Sequence, residues 1–523
     1  SADEALQASA IDRVAEGDIV NEAVAFAEEL LESNAPLRKT HEMTIDPEKY
    51  DSAYFSQFRK SIARKTRGMN APERAIRAAE AAVKSSFSDG VAFERQMSVE
   101  CGTDPQSKAL QHVFFAERLA NKVPGLSKDM DVRGISSVGI IGAGTMGGGI
   151  SMNFANVGLP VTIIERDQQA LEKGLGVIRR NYEASAKKGR ITSSQVEERM
   201  ALIKGTTEMK HLAGADLIIE AVFENMDVKK DVFSALNKIV DDKTILASNT
   251  SYLNIDEIAT VVDNPERVLG MHFFSPANVM RLLEIVRAEK TSPEILATIL
   301  KLAKTINKVG AVAGVCDGFI GNRMLSGYSY QANALVLEGA APEQVDRVLY
   351  EFGMPMGVIA MADLAGLDIG YQKRQSMDPS KIDQKSAYLY DKLYELGRHG
   401  QKTGAGVYDY QPGDRTPMPS PVTKQILEEA AQKFNLDYRE ISDQEIIERC
   451  FYAMVNIGFD ILHEGMAYRS SDIDTVYING YGFPAWRGGP MYWAENVVGL
   501  EELLQRTNEF AKVHGEKYWR PSP

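Results

Sequence analysis

Residues Val138 to Ser151 read VGIIGAGTMGGGIS, six glycines in fourteen positions. Within them Gly142, Gly144 and Gly147 form G-x-G-x-x-G. Alone the pattern is weak and also fits a glycine-rich turn without a ligand. Its surroundings match what a phosphate cradle needs. The apolar run VGII ahead of it reads as a strand, and GGISMNFANVG behind it reads as a helix. The first glycine permits a tight turn, the second lets backbone approach a pyrophosphate, and the third lets helix and strand pack closely. The pyrophosphate then sits on the helix N-terminus, where free N–H groups and the dipole favour an anion. A second apolar run, PVTIIE, ends in Glu165, eighteen residues past Gly147. An acid there accepts from adenosine ribose hydroxyls and repels a 2′-phosphate, which points to NAD rather than NADP. Arg166, next in the chain, works the other way, because an arginine can accept that phosphate.

Outward from this stretch the texture changes twice. From Ile135 to about Gly314, short apolar runs (VGIIG, PVTIIE, DLIIEAV, TILASNTS, VLGMHFF) alternate with helical stretches, which predicts βαβ units and a parallel sheet. Residues before about 125 are helix-prone, with apolar residues at helical spacing in NEAVAFAEELLES, PERAIRAAEAAVKSSF and SKALQHVFFAERLANK. After Gly314 helices dominate again and the chain repeats itself. ALVLEGAAPEQVDRVLYEFGMPMG and FDILHEGMAYRSSDIDTVYINGYGFP share a helix, an -EG-, an acidic helix start, a -D-V-Y/L- pattern and a G-M/F-P. Two copies are too few for a solenoid, so a duplicated helical domain is expected, packed face to face or side by side. QPGDRTPMPSPVTK reads as the connector.

The whole chain has 523 residues, 44% hydrophobic and 25% charged, with a net charge of −13. That charge argues against nucleic acid as a bulk partner. No apolar run approaches the roughly 20 residues that span a bilayer. Cys101, Cys316 and Cys450 stand far apart without metal-ligand spacing, so neither a disulfide framework nor a metal is expected. The opening SADEALQASA carries no signal-peptide core.

Two polar clusters end strand-like runs: Ser248-Asn249-Thr250-Ser251, and His272 in GMHFFSP. In a doubly wound sheet ligands bind at the carboxyl ends of strands, so both clusters face the cofactor crevice. A dehydrogenase needs a base for the hydroxyl proton, and histidine suits this near neutral pH. It also needs a carboxylate to orient the imidazole. Glu284, inside the apolar run VMRLLEIV, is the candidate. Residue pattern alone leaves open that His272 is a satisfied core histidine and Glu284 an edge-strand acid facing water.

Residues from about 134 to 410 resemble the L-3-hydroxyacyl-CoA dehydrogenase family. The motifs VGIIGAGTMGGGI, DLIIEAVFENMDVKKDVF, ILASNTSYL, HFFSPANVMRLLEIV, GFIGNR and GQKTGAGVYDY occur in the family's order. The resemblance implies an NAD-dependent oxidation of L-3-hydroxyacyl-CoA to 3-oxoacyl-CoA. His272 would be the base and Glu284 its orienting acid, with Ser251 and Asn322 on the substrate oxygen and neighbouring groups. It places Gly142, Gly144, Met146, Gly147, Glu165, Glu224, Lys229, Asn249, Ser251 and Ser275 at the cofactor. Ser275 departs from the commoner asparagine of HFFNP and offers a shorter hydrogen-bonding group. Lys188, in the basic run RRNYEASAKKGR, matches a CoA-phosphate position and equally fits a solvated helix face.

The second helical copy resembles multifunctional fatty-acid β-oxidation enzymes, in which it takes the place of a partner subunit. There Tyr481 matches a substrate-site position; a packing tyrosine is the alternative. In that family an enoyl-CoA hydratase module precedes the dehydrogenase, and SADEALQASAIDRV resembles its end. The expected organisation is α/β: a crotonase-like remnant and linker helix (1–125), a Rossmann-type doubly wound NAD domain (134–313), and two repeated all-α domains (314–412 and 440–523). Hydratase activity is expected of an intact parent and not of this chain. Parents of this type are monomers or join thiolase subunits, cytoplasmic in bacteria and peroxisomal in eukaryotes. A short-chain 3-hydroxybutyryl-CoA dehydrogenase and a non-catalytic structural member are the alternatives. The His272–Glu284 pair argues against related-fold sugar-acid dehydrogenases, which typically use a lysine base.

Overall fold

The computed structural model describes residues 1–43, 45–127, 129–375 and 377–523. They form two compact units, Ser1–Gly102 and Thr103–Pro523. The helix Pro105–Leu119 (α1), which the sequence grouped with the N-terminal helices, belongs to the second unit.

The second unit is built on an eight-stranded sheet: β1 (Val138–Ile141), β2 (Val161–Ile164), β3 (Ile203–Thr206), β4 (Leu217–Glu220), β5 (Ile245–Ser248), β6 (Val268–Phe273), β7 (Leu282–Arg287) and β8 (Val309–Gly314). The spatial order is β3-β2-β1-β4-β5-β6-β7-β8. Successive residues feed opposite cores: Ile140, Ile163 and Ile219 one cluster, Ile141, Ile164 and Ile218 the other. Both faces are covered, which is why these strands are continuous apolar runs without alternation. Strand order reverses between β1 and β4, and a ligand crevice opens at the carboxyl ends there.

One strand departs from the expected parallel arrangement. β7 runs antiparallel to β6. Only eight residues join them, whereas a parallel return needs a crossover of about a dozen or more.

The helices that bear on the site are α2 (Thr145–Ala155), α3 (Gln168–Lys187) and α4 (Met226–Asn237) around the sheet. After the sheet come α5 (Gly321–Leu337), α6 (Pro342–Phe352), α7 (Val358–Ala365), α8 (Leu367–Gln375) and α9 (Gln384–Glu395). The second copy contributes α10 (Asp443–His463), α11 (Ser470–Val476) and α12 (Pro490–Trp493).

The copies meet face to face through α5 and α10. A Cβ on Gly327 would come within 2.5 Å of Ile457 Cδ1, so the bare glycine allows the close crossing. The contact is reciprocal. Arg323 of the first copy pairs with Glu464 of the second at 2.7 Å, and Arg449 of the second with Glu338 of the first at 2.7 Å. In each copy the glutamate of -EG- lies fifteen residues after the arginine. Residue i meeting j while j meets i is the signature of a two-fold interface, here within one chain.

A buried aspartate recurs as well. Asp346 accepts from Ile359 and Ala360 N–H at the start of α7. Asp474 accepts from Met491 and Tyr492 N–H at the start of α12. Each packs where a Cβ on Gly357 or Gly489 would collide with it. Asp474 has one more partner, His112 Nε2 of α1 at 2.8 Å, and this ties the linker helix to the second copy.

The first unit contains the helices Ile19–Glu32, Ser52–Ile62, Ala71–Lys84 and most of Phe87–Thr103. Among its described residues there is no strand. Its core is small, centred on Phe55, Ile76 and Met97. Arg59 bridges Glu73 and Glu80, each at 2.9 Å.

The reciprocal pairs differ in burial, Arg449 being 1% exposed at its side chain and Arg323 24%. Arg449→Ala is therefore expected to cost about 1–3 kcal/mol in denaturant unfolding, because buried Gln331 Oε1 loses its donor while Glu338 keeps Arg439. Glu464→Ala, at the exposed pair, is expected to cost about 1 kcal/mol or less.

Candidate active site

β6 and β7 pair in the register that sets His272 directly opposite Glu284. Facing residues of an antiparallel pair have Cβ atoms about 5 Å apart, so imidazole and carboxylate must meet. His272 Nδ1 lies 2.8 Å from Glu284 Oε2. Glu284 is fully buried and His272 4% exposed. The second carboxylate oxygen accepts from the backbone N–H of Ile320 at 2.9 Å and of Gly321 at 3.2 Å. These amides open α5, where unpaired N–H groups and the helix dipole favour negative charge. A buried carboxylate with three donors is a stable acceptor. It takes Nδ1–H and leaves Nε2 with a free lone pair. Phe274 and Phe319 flank the imidazole at 4.4 and 5.8 Å between ring centroids.

Asn322 follows in the first turn of α5. Its Nδ2 lies 3.5 Å from the carbonyl oxygen of Ser251, which brings Asn322 and Ser251 together beyond the strand ends. Its Oδ1 accepts from the hydroxyl of Tyr481 at 2.8 Å. Tyr481 comes from the second helical copy and lies edge-on to Phe274. A Cβ on Gly321 would come within 2.4 Å of its ring; the glycine of GFIGNR makes room for this tyrosine. The copies thus meet at the site as well as along α5 and α10.

A buried polar network lies behind Ser251. Lys229 of α4, 1% exposed, reaches Glu220 Oε1 at 2.7 Å and Glu224 Oε2 at 3.2 Å. Glu220 also accepts from Ser248 Oγ at 2.6 Å. Glu224 accepts from the N–H of Ser251 at 2.8 Å and from the Thr250 hydroxyl. Asn249 Oδ1 accepts from Phe273 N–H at 2.8 Å, pinning the end of β5 to the end of β6. Glu220 was not singled out from sequence. Its signal was there: like Glu284, it is an acid set in an apolar strand run.

At the switch point the three glycines do different work. Gly142 has φ +102°, and a Cβ there would lie 2.6 Å from Ala221 O. At Gly147 a Cβ would lie 1.8 Å from Gly142 O, so loop and α2 close on each other. A Cβ on Gly144 would meet nothing within 4 Å. Gly144 therefore bares the N-terminus of α2 toward open space, as a dinucleotide cradle requires. Glu165 Oε2 accepts from Ala143 N–H at 2.9 Å, which brings this acid onto the loop. The Arg166 side chain is 91% exposed and its nearest acid is Asp167 at 3.7 Å. Lys308 ties down the segment after β6 by donating to the carbonyls of Ala277 and Met280 at 2.6 Å; burial pushes its ammonium down to about 8.

Met146 is half-buried in the first turn of α2 and packs on the sheet core. Ser275 is exposed in the β6–β7 connection. Lys188 is exposed at the C-terminal end of α3. None of these three touches the His272 group among the described contacts.

The family model for the 3-hydroxyacyl-CoA dehydrogenase NAD-binding domain matches residues 137–316, and that for the C-terminal domain matches residues 318–410. The peroxisomal bifunctional enzyme of Cavia porcellus is 39% identical over 540 aligned positions, covering 100% of this chain and 73% of that protein. The peroxisomal fatty acid β-oxidation multifunctional protein MFP2 of Arabidopsis thaliana is 34% identical over 87% of this chain and 63% of its own. Among solved structures, the dehydrogenase part of multifunctional enzyme 1 from C. elegans superposes with a TM-score of 0.58 at 29% identity, covering 78% of this chain and 95% of that one. The 3-hydroxybutyryl-CoA dehydrogenase of Escherichia coli gives 0.64 at 26% identity, covering 74% and 97%.

Gly144→Val separates cradle from scaffold. A Cβ there clashes with nothing in the chain, so the stability loss should stay within about 1 kcal/mol, the scale of losing the N-cap glycine. NAD binding, measured calorimetrically, should fall about a hundredfold, as expected if two charge-assisted backbone contacts to phosphate are blocked. Undiminished NAD binding would contradict the cradle.

Proposed function

The chain belongs to the 3-hydroxyacyl-CoA dehydrogenase family, NAD-dependent enzymes of fatty-acid β-oxidation, and we propose that His272 takes the 3-hydroxyl proton of an L-3-hydroxyacyl-CoA. The observation that carries the assignment is the His272 Nδ1–Glu284 contact of 2.8 Å, with the carboxylate fully buried.

Nε2 is the basic nitrogen. As it gains the hydroxyl proton, Glu284 stabilises the imidazolium through Nδ1–H, while the Ile320 and Gly321 amides hold the other carboxylate oxygen in place. Asn322 Nδ2 and Ser251 Oγ donate to the substrate oxygen as it becomes a carbonyl. Tyr481 fixes the Asn322 amide by donating to its oxygen, which turns Nδ2 toward the Ser251 side. When bound, the nicotinamide ring accepts the hydride that leaves C3. In the reverse direction the imidazolium returns the proton to the oxygen.

The amides around Gly144 would hold the pyrophosphate and Glu165 the ribose hydroxyls. Lys229 acts through Glu224, whose carboxylate holds the Ser251 backbone. Asn249 acts by fixing the strand ends on which the site stands. Lys188 and Ser275 are assigned to the outer parts of the CoA and cofactor sites on the resemblance alone.

Every group used here lies in residues 103–523. The reciprocal pairing of α5 with α10 supports a monomer, since the second copy covers the face that a partner would cover. No helix among the described residues is long and apolar enough to cross a membrane. The names of the relatives support a peroxisomal setting in a eukaryotic source.

A positioned base contributes typically about 10²–10⁴-fold in rate. His272→Ala and Glu284→Gln are each expected to lower kcat by that order, with NAD affinity retained. NADH formation from a 3-hydroxyacyl-CoA measures the first and calorimetry the second. Turnover within a few-fold of the parent in either variant would remove the assignment.

A further inference from the structure

The turn Tyr477–Tyr481, which carries Tyr481 into the site, is a π-helix. Such wide turns are rare and poorly favoured by the backbone itself, so the groups around this one must hold its shape. Its contacts reach α5, the sheet and α1. The Tyr477 hydroxyl donates to the carbonyl of Gly321 at 3.1 Å, and the Tyr481 hydroxyl to Asn322 Oδ1 at 2.8 Å. Gly480 lies on the start of β7, where a Cβ would come within 2.5 Å of Leu282 Cδ2. From the linker helix α1, Glu117 Oε1 accepts from Asn479 Nδ2 at 3.0 Å. Glu117 lies outside the two stretches that the family models match.

Asn479 is buried, and its amide nitrogen donates to Glu117 and to the carbonyl of Thr475, the latter at 3.1 Å. A buried donor left without an acceptor is costly, so without Glu117 the turn would shift toward another acceptor or water. Glu117 itself is fixed, because α1 is fastened on either side of it. His112 holds Asp474 at 2.8 Å, and the carbonyls of Leu119 and Lys122 accept from Arg469 at 3.2 and 2.6 Å. The Glu117 carboxylate also meets Arg281, the residue before β7, at 3.4 Å. Arg281 is exposed, and an exposed pair of that length contributes little.

We infer that Glu117 is a positioning residue of the dehydrogenase site, acting through Asn479 and Tyr481 on the Asn322 amide. The inference rests on the reading of the site given above. The path is short. Asn479 and Tyr481 share one turn, and Tyr481 engages Asn322 Oδ1, which leaves Nδ2 for the substrate oxygen. A displacement of about 1 Å in groups that orient reacting atoms can cost about a hundredfold in rate. The linker helix thereby takes part in the reaction without touching the substrate.

The test is a double-mutant cycle on the full chain with NAD and saturating 3-hydroxybutyryl-CoA. The kcat is counted per NADH-binding site, so unfolded protein does not enter. Glu117→Ala and Tyr481→Phe are each expected to lower kcat about tenfold, with the KM for NAD within about twofold of the parent. Both changes interrupt one path, so the double variant should lose no more than about twofold beyond Tyr481→Phe alone. Glu117→Gln keeps an acceptor for Asn479 and should stay within about twofold of the parent. Asn479→Leu breaks the same bond from the turn side, with the same tenfold loss expected, and stands in for Glu117→Ala should that variant not fold. Parent-like kcat in Glu117→Ala, Asn479→Leu or Tyr481→Phe, losses that multiply in the double variant, or a tenfold loss in Glu117→Gln would overturn the inference. Each of these leaves the dehydrogenase reading intact, which falls only if His272→Ala or Glu284→Gln keeps its turnover.

Discussion

The carboxylate of Glu284 is the constraint on which the site depends. An ionised group shut away from water is tolerated only when its oxygens are fully engaged. Here three donors from two parts of the fold converge on it: the His272 imidazole from the neighbouring strand, and the amides of Ile320 and Gly321 from α5. That convergence needs β7 antiparallel to β6 in one register, and it needs α5 to begin against the sheet. Once both hold, the imidazole tautomer is set. Asn322, one residue into the helix, then stands beside Ser251. The geometry of the His272–Glu284 pair and the docking of helices on the sheet share the same hydrogen bonds.

The internal duplication extends this arrangement. The first copy carries Gly321 and Asn322. By the register of the reciprocal pairs, Asn322 corresponds to Glu448, which pairs with Arg506 at 3.0 Å and takes no part in the site. The second copy keeps the scaffold, including its buried aspartate and its -EG- glutamate, and contributes Tyr481 at the junction. On the proposed reading, one copy supplies the reacting groups and the other braces them. His112 joins that brace to the linker helix through Asp474.

Much of this was legible in the sequence because it rests on local rules. The glycine loop, Glu165 and the continuous apolar strands each follow from what a strand–turn–helix unit must bury or bare. The repeat was visible from its -EG- and aspartate pattern. The twelve-residue separation of His272 and Glu284 is the register of β6 against β7 seen along the chain. What could not be read is what depends on three-dimensional pairing. The reversal of β7 came from connection length, against a pattern that suggested only parallel strands. The reciprocity of Arg323 and Arg449 lies between segments more than a hundred residues apart. The resemblance put Lys229 at the cofactor but did not give its burial between Glu220 and Glu224, which only the packing of the helix on the sheet reveals.

The central claim is that Glu284 holds His272 with Nδ1 protonated and Nε2 free to take a proton. Nitrogen-15 NMR of the histidine-labelled chain at neutral pH measures this directly, with the His272 resonances assigned by their loss in His272→Asn. The expected result is a neutral imidazole with a protonated Nδ1 and an unprotonated Nε2, becoming a mixture of tautomers in Glu284→Gln. A parent enzyme whose His272 carries its proton on Nε2, or averages between the two nitrogens, would contradict the account.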